Sequence, residues 1–353
     1  MVHLRSMRSR APMRISFGGG GSEIDPYRSQ YGGRVMNTTI AMYAHVSLEE
    51  NDDNMIEIRS ADGEESFHST INDYVDAQFH ELPNSCLLTV ATLQYFSREL
   101  NSQLTVGVKI TTHSDAPVGS GLGASSTMTV AIVHLLLEYF NIPSDPYSLA
   151  LIAYKVEREY LNLAGGIQDH FCAAFGGFNY MEFGPADHLL INPLRIKRDT
   201  LFDLESSLLL IYTGTSRDSA RIIQNQISEM KNSSEYSNQT LEKIAINATK
   251  IKSAILKWNL PEFSTLINEG WILKKLMSES VSNSEIDNLA KICKSSGALG
   301  VKLCGAGGGG YLLVAIQPEK RAKLMKVLGK GPEEFIRMTF VDHGSEVWNS
   351  NSK

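Results

Sequence analysis

Three glycine-rich segments, at Pro12–Glu23, Pro117–Ser126 and Gly305–Gly310, constrain this chain more than any other feature. The middle one reads Pro117-Val118-Gly119-Ser120-Gly121-Leu122-Gly123-Ala124-Ser125-Ser126 and runs from strand-like sequence straight into a long apolar helix. Alternate glycines let a loop turn tightly and bring its amides close to a ligand without Cβ interference. The N–H groups and positive dipole end of the following helix favour a phosphate. Ser125 and Ser126 add hydroxyls suited to Mg2+ or to phosphate oxygens. Two common phosphate-loop patterns fail here. No Gly-Lys-Ser/Thr occurs anywhere, and GxGxG followed by Ala-Ser-Ser lacks the last spacing of GxGxxG. The bland alternative is a turn that only joins strand to helix.

The first segment, Pro12-Met13-Arg14-Ile15-Ser16-Phe17-Gly18-Gly19-Gly20-Gly21-Ser22-Glu23, sets four glycines between a cation and a carboxylate. Four glycines in a folded region are costly unless backbone must approach something closely. The third, Gly305-Ala306-Gly307-Gly308-Gly309-Gly310, lies between two short strand-like runs. Singly, each segment passes for a permissive loop. Together they are harder to dismiss.

A pair of carboxylates adds chemistry. Glu157 falls on a helix expected over Asp145–Leu163, capped by Ser144 or Asp145 with Pro146 in the first turn. Asp169 follows a Gly165-Gly166 turn. A solvated helix face and a helix cap are the ordinary explanations for these acids. Phosphoryl transfer gives a reason to want both: one acid to hold Mg2+, the other to orient or deprotonate the attacking hydroxyl.

Composition narrows the field. With 33 Lys and Arg against 39 Asp and Glu the net charge is −6, which disfavours a general nucleic-acid binder. No apolar run approaches the roughly 20 residues needed to span a bilayer. No apolar stretch follows Arg5, Arg8, Arg10 and Arg14 that would make a signal peptide. Cys86, Cys172, Cys293 and Cys304 are scattered and suggest neither zinc nor disulfides. A soluble, cytoplasmic protein without a nucleic-acid or membrane partner is expected.

The strand-like runs are Arg34–Ser47, Leu104–Thr111, Ser207–Tyr212, Val301–Leu303, Tyr311–Ile316 and Phe335–Val341. Helices are expected at Cys86–Leu100, Ser126–Phe140, Asp218–Lys231, Thr240–Leu256, Glu262–Ser278, Ser284–Lys294 and Pro318–Leu328. The character shifts near residue 195, so two domains are expected, 1–195 and 196–353, with a frayed tail after Gly344.

The three segments, in this order and spacing, resemble those of the GHMP small-molecule kinases. RISFGGGG, YGGRVMNTTI, EREYLNLAGGIQDHF and FGGFNYMEF look most like the branch acting on D-glycero-D-manno-heptose 7-phosphate, with L-fucokinase-type domains next. The resemblance implies a two-domain α+β fold. Its N-terminal domain would carry a left-handed βαβ unit, and its C-terminal domain would be ferredoxin-like with extra helices.

The resemblance also implies ATP and Mg2+. ATP phosphates would lie over Pro117, Gly119, Ser120, Gly121, Leu122, Gly123, Ala124, Ser125 and Ser126, with Ser125 and Glu157 holding Mg2+. Asp169 and Arg14 would be catalytic, and for an Asp beside an Arg positioning plus charge stabilisation is a sufficient role. Gly20, Gly21, Ser22, Glu23, Gly166, Asp169, Gly307 and Gly308 would contact the sugar, and Arg217 is a candidate for its phosphate. Related sugar kinases end the first motif Gly-Gly-Thr-Asp, whereas this chain ends it Ser22-Glu23. The extra methylene moves the carboxylate by about 1.5 Å.

The expected reaction is transfer of the ATP γ-phosphoryl to the anomeric hydroxyl of a heptose 7-phosphate, giving the 1,7-bisphosphate. A free-sugar 1-kinase acting on L-fucose is the alternative. A non-catalytic sensor on the same fold is disfavoured because Ser125, Glu157 and Asp169 are all present. His45, His113 and His170 read as isolated structural residues, with His113 near enough to the loop to touch ligand. A homodimer is left open.

Overall fold

Met13, Ile15 and Phe17 alternate with Arg14, Ser16 and Gly18 along strand β1 (Ser6–Gly18). That period of two buries the first set in a core and sets the second along a cleft. The computed structural model describes residues 4–185, 188–214, 219–232, 234–329 and 335–350. Next to β1 runs β2 (Gly33–Asn51), antiparallel, with a register irregularity between Pro12 and Met13 just ahead of Arg14. Proline has no N–H for the ladder, so a bulge is where a strand tolerates it.

Strands β3 (Met55–Ser60), β4 (Ser66–Thr70), β5 (Gly107–Ser114), β6 (Phe178–Phe183) and β7 (Leu189–Pro193) extend this first sheet. A second sheet comprises β8 (Leu208–Tyr212), β9 (Ala298–Leu303), β10 (Tyr311–Ile316) and β11 (Phe335–Arg337). The last strand, β12 (Glu346–Asn349), returns to the first sheet. The first sheet runs β12-β1-β2-β5-β3-β4, with β6 on the early half of β2 and β7 beside β6. The second runs β11-β8-β10-β9, all antiparallel.

The helices are α1 (Tyr27–Tyr31), α2 (Leu87–Glu99), α3 (Ala124–Tyr139), α4 (Pro146–Tyr154) and α5 (Gln168–Phe175), then α6 (Arg198–Ser207) and α7 (Ser219–Asn232). After these come α8 (Ser234–Lys257), α9 (Leu260–Lys275), α10 (Ser284–Ser295) and α11 (Arg321–Leu328). Helices α2 to α5 share a core with Val46, Leu48, Ile58 and Ile110 of the first sheet. A second core joins the halves: Met13, Ile15 and Phe17 meet Ile251 of α8, Phe263 of α9 and Leu210 of β8. A third lies between the second sheet and α10 with α11. The second sheet has the strand order of a ferredoxin-like fold, with α7 to α10 between its first two strands and α11 between its last two. Among the described residues no helix is long and apolar enough to cross a membrane.

Several expectations change. The helix expected at Asp145–Leu163 is two elements. Asp145 caps α4 through a capping box with Ser148, and Lys155–Tyr160 then winds as a π-helical turn in which Leu161 N–H donates to Val156 O at 3.0 Å. Strand β5 begins at Gly107 rather than Leu104, and β11 ends at Arg337. The described part of the tail after Gly344 is not frayed: Glu346–Asn349 pairs with Met7–Arg10, and Arg10 bonds Glu346 at 2.7 Å. The open edge of β1 offers unpaired N–H and C=O groups that a returning segment satisfies.

Candidate active site

Helix α3 begins at Ala124 after Gly123 in the left-handed region, φ 78. Gly119 and Gly121 also have positive φ, so the loop's glycines are required by its backbone. The third glycine segment braces it from the second sheet. Tyr311 N–H donates to Ser120 O at 2.9 Å, and a Cβ on Gly121 would fall 2.6 Å from Cys304 O. Leu122 is buried, Pro117 and Ser125 are exposed, and Ala124 is half-buried. The first N–H groups of α3, which have no partners within the helix, therefore border a surface open to solvent.

Arg14 ties this loop to the first turn of α5. Its Nε donates to Asp169 Oδ1 at 2.7 Å and its Nη2 to Oδ2 at 2.8 Å, while Nη1 donates to Gly121 O. The Arg14 N–H donates to Leu122 O at 3.0 Å. Such a two-pronged guanidinium–carboxylate contact fixes orientation as well as charge. A Cβ on Gly123 would sit 3.3 Å from both Arg14 and Asp169 Oδ2, so only glycine leaves this junction relaxed.

The other acid belongs to the same neighbourhood. The π-helical turn buries Glu157, where Ser125 Oγ donates to Oε1 at 2.7 Å and His170 Nε2 lies 2.7 Å from Oε2. Arg158 approaches Oε1 at 3.3 Å and donates to Ser126 Oγ at 3.0 Å. Burial alone would raise the Glu157 carboxyl; Arg158, His170 and Ser125 outweigh it and hold the group well below the usual carboxylate range. An ionised carboxylate and an exposed hydroxyl at a helix N-terminus are hard oxygen donors that suit Mg2+. Among the described residues no group of three or more His, Cys, Asp or Glu makes a self-contained cage. A cation here would complete its shell with water and nucleotide phosphate, as Mg2+ commonly does.

Next to Asp169 opens a cleft lined by Arg14, Gly20, Gly21, Glu23, Gly166 and Lys274, among others. Glu23 is buried; it accepts from Gly21 N–H at 2.7 Å and from Gln168 Nε2. Burial raises its carboxyl, with those hydrogen bonds opposing. A Cβ on Gly166 would fall 2.7 Å from Glu23 Oε1, which explains the glycine there. Lys274 Nζ donates to Gly305 O at 2.5 Å, and burial pushes its pKa down to about 8. Lys302 Nζ donates to Ser16 O at 2.6 Å and Phe17 O at 3.2 Å, and burial brings it down to about 7.

Not every residue named from the sequence lies on this cleft. Ser22 is fully buried and staples its loop to β2, donating to Gly19 O at 2.8 Å and accepting from Arg34 N–H at 3.1 Å. Gly307 and Gly308 pack on Val281: Gly308 N–H donates to Val281 O at 2.9 Å, and a Cβ on Gly307 would meet Val281 at 2.7 Å. Their neighbours Gly305 and Ala306 line the cleft instead. Arg217 lies outside the described residues. His113 sits on β5 against Asp62 at 2.7 Å, stacked with His45.

Sequence reasoning passed over Gln168, Lys274, Lys302 and the contact of His170 with Glu157. Gln168 had a signal, since it adjoins Asp169. The lysines had none, because nothing in their local pattern says which way they face.

The family models for the GHMP kinases N terminal domain and GHMP kinases C terminal match residues 87–177 and 251–327. The chain is 32% identical over 348 residues to the D-glycero-alpha-D-manno-heptose 7-phosphate kinase of Campylobacter jejuni, covering 98% of this chain and 99% of that one. It is 27% identical over 364 residues to the L-fucokinase/L-fucose-1-P guanylyltransferase of Bacteroides fragilis, 97% of this chain but 38% of the relative. The crystal structure of a D-glycero-D-manno-heptose 1-phosphate kinase from Bacteroides thetaiotaomicron superposes with a TM-score of 0.78 at 32% identity, covering 98% of this chain and all of that one. With the glycine loop joined to Asp169 through Arg14 and to Glu157 through Ser125, the chain belongs to the GHMP kinases, which move phosphate from ATP to a hydroxyl group.

Proposed function

We propose that this kinase phosphorylates the anomeric hydroxyl of D-glycero-D-manno-heptose 7-phosphate, giving the 1,7-bisphosphate and ADP, in the cytoplasm. The observation that carries the reading is the position of Asp169. Arg14 binds it in two-pronged fashion at the point where the phosphate loop meets the cleft that holds Glu23. The full-length likeness to a heptose 7-phosphate kinase supports the choice of sugar.

In this reading the loop amides from Gly119 to Ser126 hold the nucleotide phosphates. Ser125 and Glu157 hold Mg2+, which when bound offsets the charge of the phosphate oxygens. Glu23, kept in place by Gly21 and Gln168, accepts hydrogen bonds from sugar hydroxyls. Asp169 orients the anomeric hydroxyl for in-line attack. A new O1–P bond forms as the bond from the γ-phosphorus to the bridging oxygen breaks, and ADP leaves. The O1 proton passes to Asp169 or water late in the step, since an anomeric hydroxyl is more acidic than an ordinary alcohol. Arg14 holds Asp169 still and lends positive charge beside the transferring group.

The likeness to an L-fucokinase over 97% of this chain favours a free-sugar 1-kinase as the second reading. Phosphorus NMR of products from ATP with heptose 7-phosphate, L-fucose and galactose separates them. A new anomeric phosphate doublet on heptose 7-phosphate alone supports the first reading. Turnover confined to unphosphorylated sugars removes it.

A further inference from the structure

We infer that His170 is a positioning residue for Glu157, holding the carboxylate so that its Oε1 faces Ser125 and the pair can take a cation together with nucleotide phosphate. The inference rests on the reading of Ser125 and Glu157 as Mg2+ ligands. It gives a role to a residue that the sequence analysis read as isolated and structural.

His170 is fully buried, and its Nε2–H donates to Glu157 Oε2 at 2.7 Å. Its Nδ1 has no hydrogen-bond partner among the described residues. A histidine kept only to fill the core would leave that nitrogen as an unoffset cost, which an apolar ring of similar size avoids. The ring's edge-on contact with Tyr154, centroids 5.7 Å apart, is one that Phe would also make. What Phe would not supply is the donor to Oε2. The single polar bond of this imidazole is therefore the feature that calls for histidine.

The geometry on the carboxylate side agrees. Glu157 projects from a π-helical turn, so its direction is not set by a regular helical ladder. Three side chains fix it instead: Ser125 and Arg158 at Oε1, and His170 at Oε2. Without His170, Oε2 is a buried acceptor with no partner, and the carboxylate gains by rotating toward Arg158. His170 also follows Asp169 directly on the first turn of α5. One turn thus aims Asp169 at Arg14 and its neighbour at Glu157, locking the acceptor side and the cation side into a common frame. Groups that orient a ligand's outer side commonly change metal affinity or activity by about 10- to 100-fold when removed.

The test uses the full chain and reads nucleotide binding as well as turnover. Affinity for ADP is measured by calorimetry in EDTA and across a Mg2+ titration, beside the Mg2+ dependence of turnover with whichever sugar the wild type accepts. The variants are His170→Gln, which keeps a donor of similar reach, His170→Asn, which is too short, and His170→Leu, which has none. Support is an apparent Mg2+ constant raised about 10-fold or more in Asn and Leu, restored to within about threefold in Gln, with ADP affinity in EDTA unchanged. An unaltered Mg2+ constant in a folded Asn variant overturns the inference. So does an equal loss of ADP affinity with and without Mg2+, which marks a merely structural residue. If the Leu variant does not fold, the Gln and Asn pair decides alone. Glu157→Gln is the control for the underlying reading: unchanged Mg2+ dependence there removes Glu157 as a ligand, and the inference falls with it.

Discussion

Arg14 and Asp169, 155 positions apart, meet through two hydrogen bonds of 2.7 and 2.8 Å, and the same guanidinium reaches Gly121 O. Asp169, to which the proposed reading gives the acceptor hydroxyl, is thereby tied to the loop to which it gives the nucleotide. A displacement of either is transmitted to the other through one planar group, which is how positioning alone can carry much of a phosphoryl transfer.

Asp169→Asn keeps the side-chain shape but loses the charge that Arg14 binds. ATP affinity measured by calorimetry is expected to change little. Turnover is expected to fall by about 10²- to 10⁴-fold. Unchanged turnover rejects the role given to this acid.

Gly123→Ala puts a Cβ 3.3 Å from Arg14 and Asp169 at a φ of 78. The left-handed backbone alone costs an L-residue about 1–2 kcal/mol. Gly329→Ala is a matched control, since φ is 62 there and nothing lies within 4 Å. Urea unfolding should show the backbone cost in both variants and an added loss from crowding in Gly123→Ala, whereas kcat should fall only for Gly123→Ala.

Glu23→Asp draws the carboxylate back by one methylene, away from Gln168 and Gly21. The acceptor KM is expected to rise about tenfold, the value of one hydrogen bond, with the KM for ATP unmoved. Equal shifts in both constants would place Glu23 outside the sugar site.

Lys274 loses its proton as the pH passes about 8, well below the ordinary lysine value of 10.5, because burial disfavours its charge. Between those values the unfolded chain binds more protons than the folded one, so stability gains from this group as pH rises from 8 to 10.5. If the ammonium binds the acceptor, its KM should climb above pH 8 in the wild type and stay flat in Lys274→Arg up to about pH 9.5. Parallel profiles for the two proteins would exclude that contact.

Much of the backbone was legible because glycine records it. Gly19, Gly21, Gly119, Gly121, Gly123, Gly305, Gly307, Gly308 and Gly310 all adopt positive φ, so the three segments announce tight turns and close loop-to-loop approaches. The acids Glu157 and Asp169 were legible as types. Their shared neighbourhood was not, because it depends on a π-helical turn, and no period in Lys155–Tyr160 separates that from an ordinary helix.

Three further misses have physical causes. Residues Ser6–Gly18 carry the alternation of a strand that was not among the expected strand-like runs, because Arg8, Arg10 and Arg14 fill its polar positions and four glycines follow it. His170 read as isolated because its partner lies 13 positions back, on a different element. Lys302 lies inside a strand and finds its partners 285 and 286 residues away. Such pairings are set by how the halves dock, which local pattern does not encode.

Because β12 lies on β1, with Ser350 N–H donating to Ser6 O at 2.8 Å, the second sheet hangs from the first by two covalent tethers, near residues 194–207 and 338–345. Packing reinforces these connections, because Met13, Ile15 and Phe17 of β1 are buried against Ile251, Phe263 and Leu210 of the other half. Chain connection and buried packing thus hold the two walls of the cleft in one alignment, and Phe17, which belongs to both the shared core and the cleft lining, makes packing there count at the site.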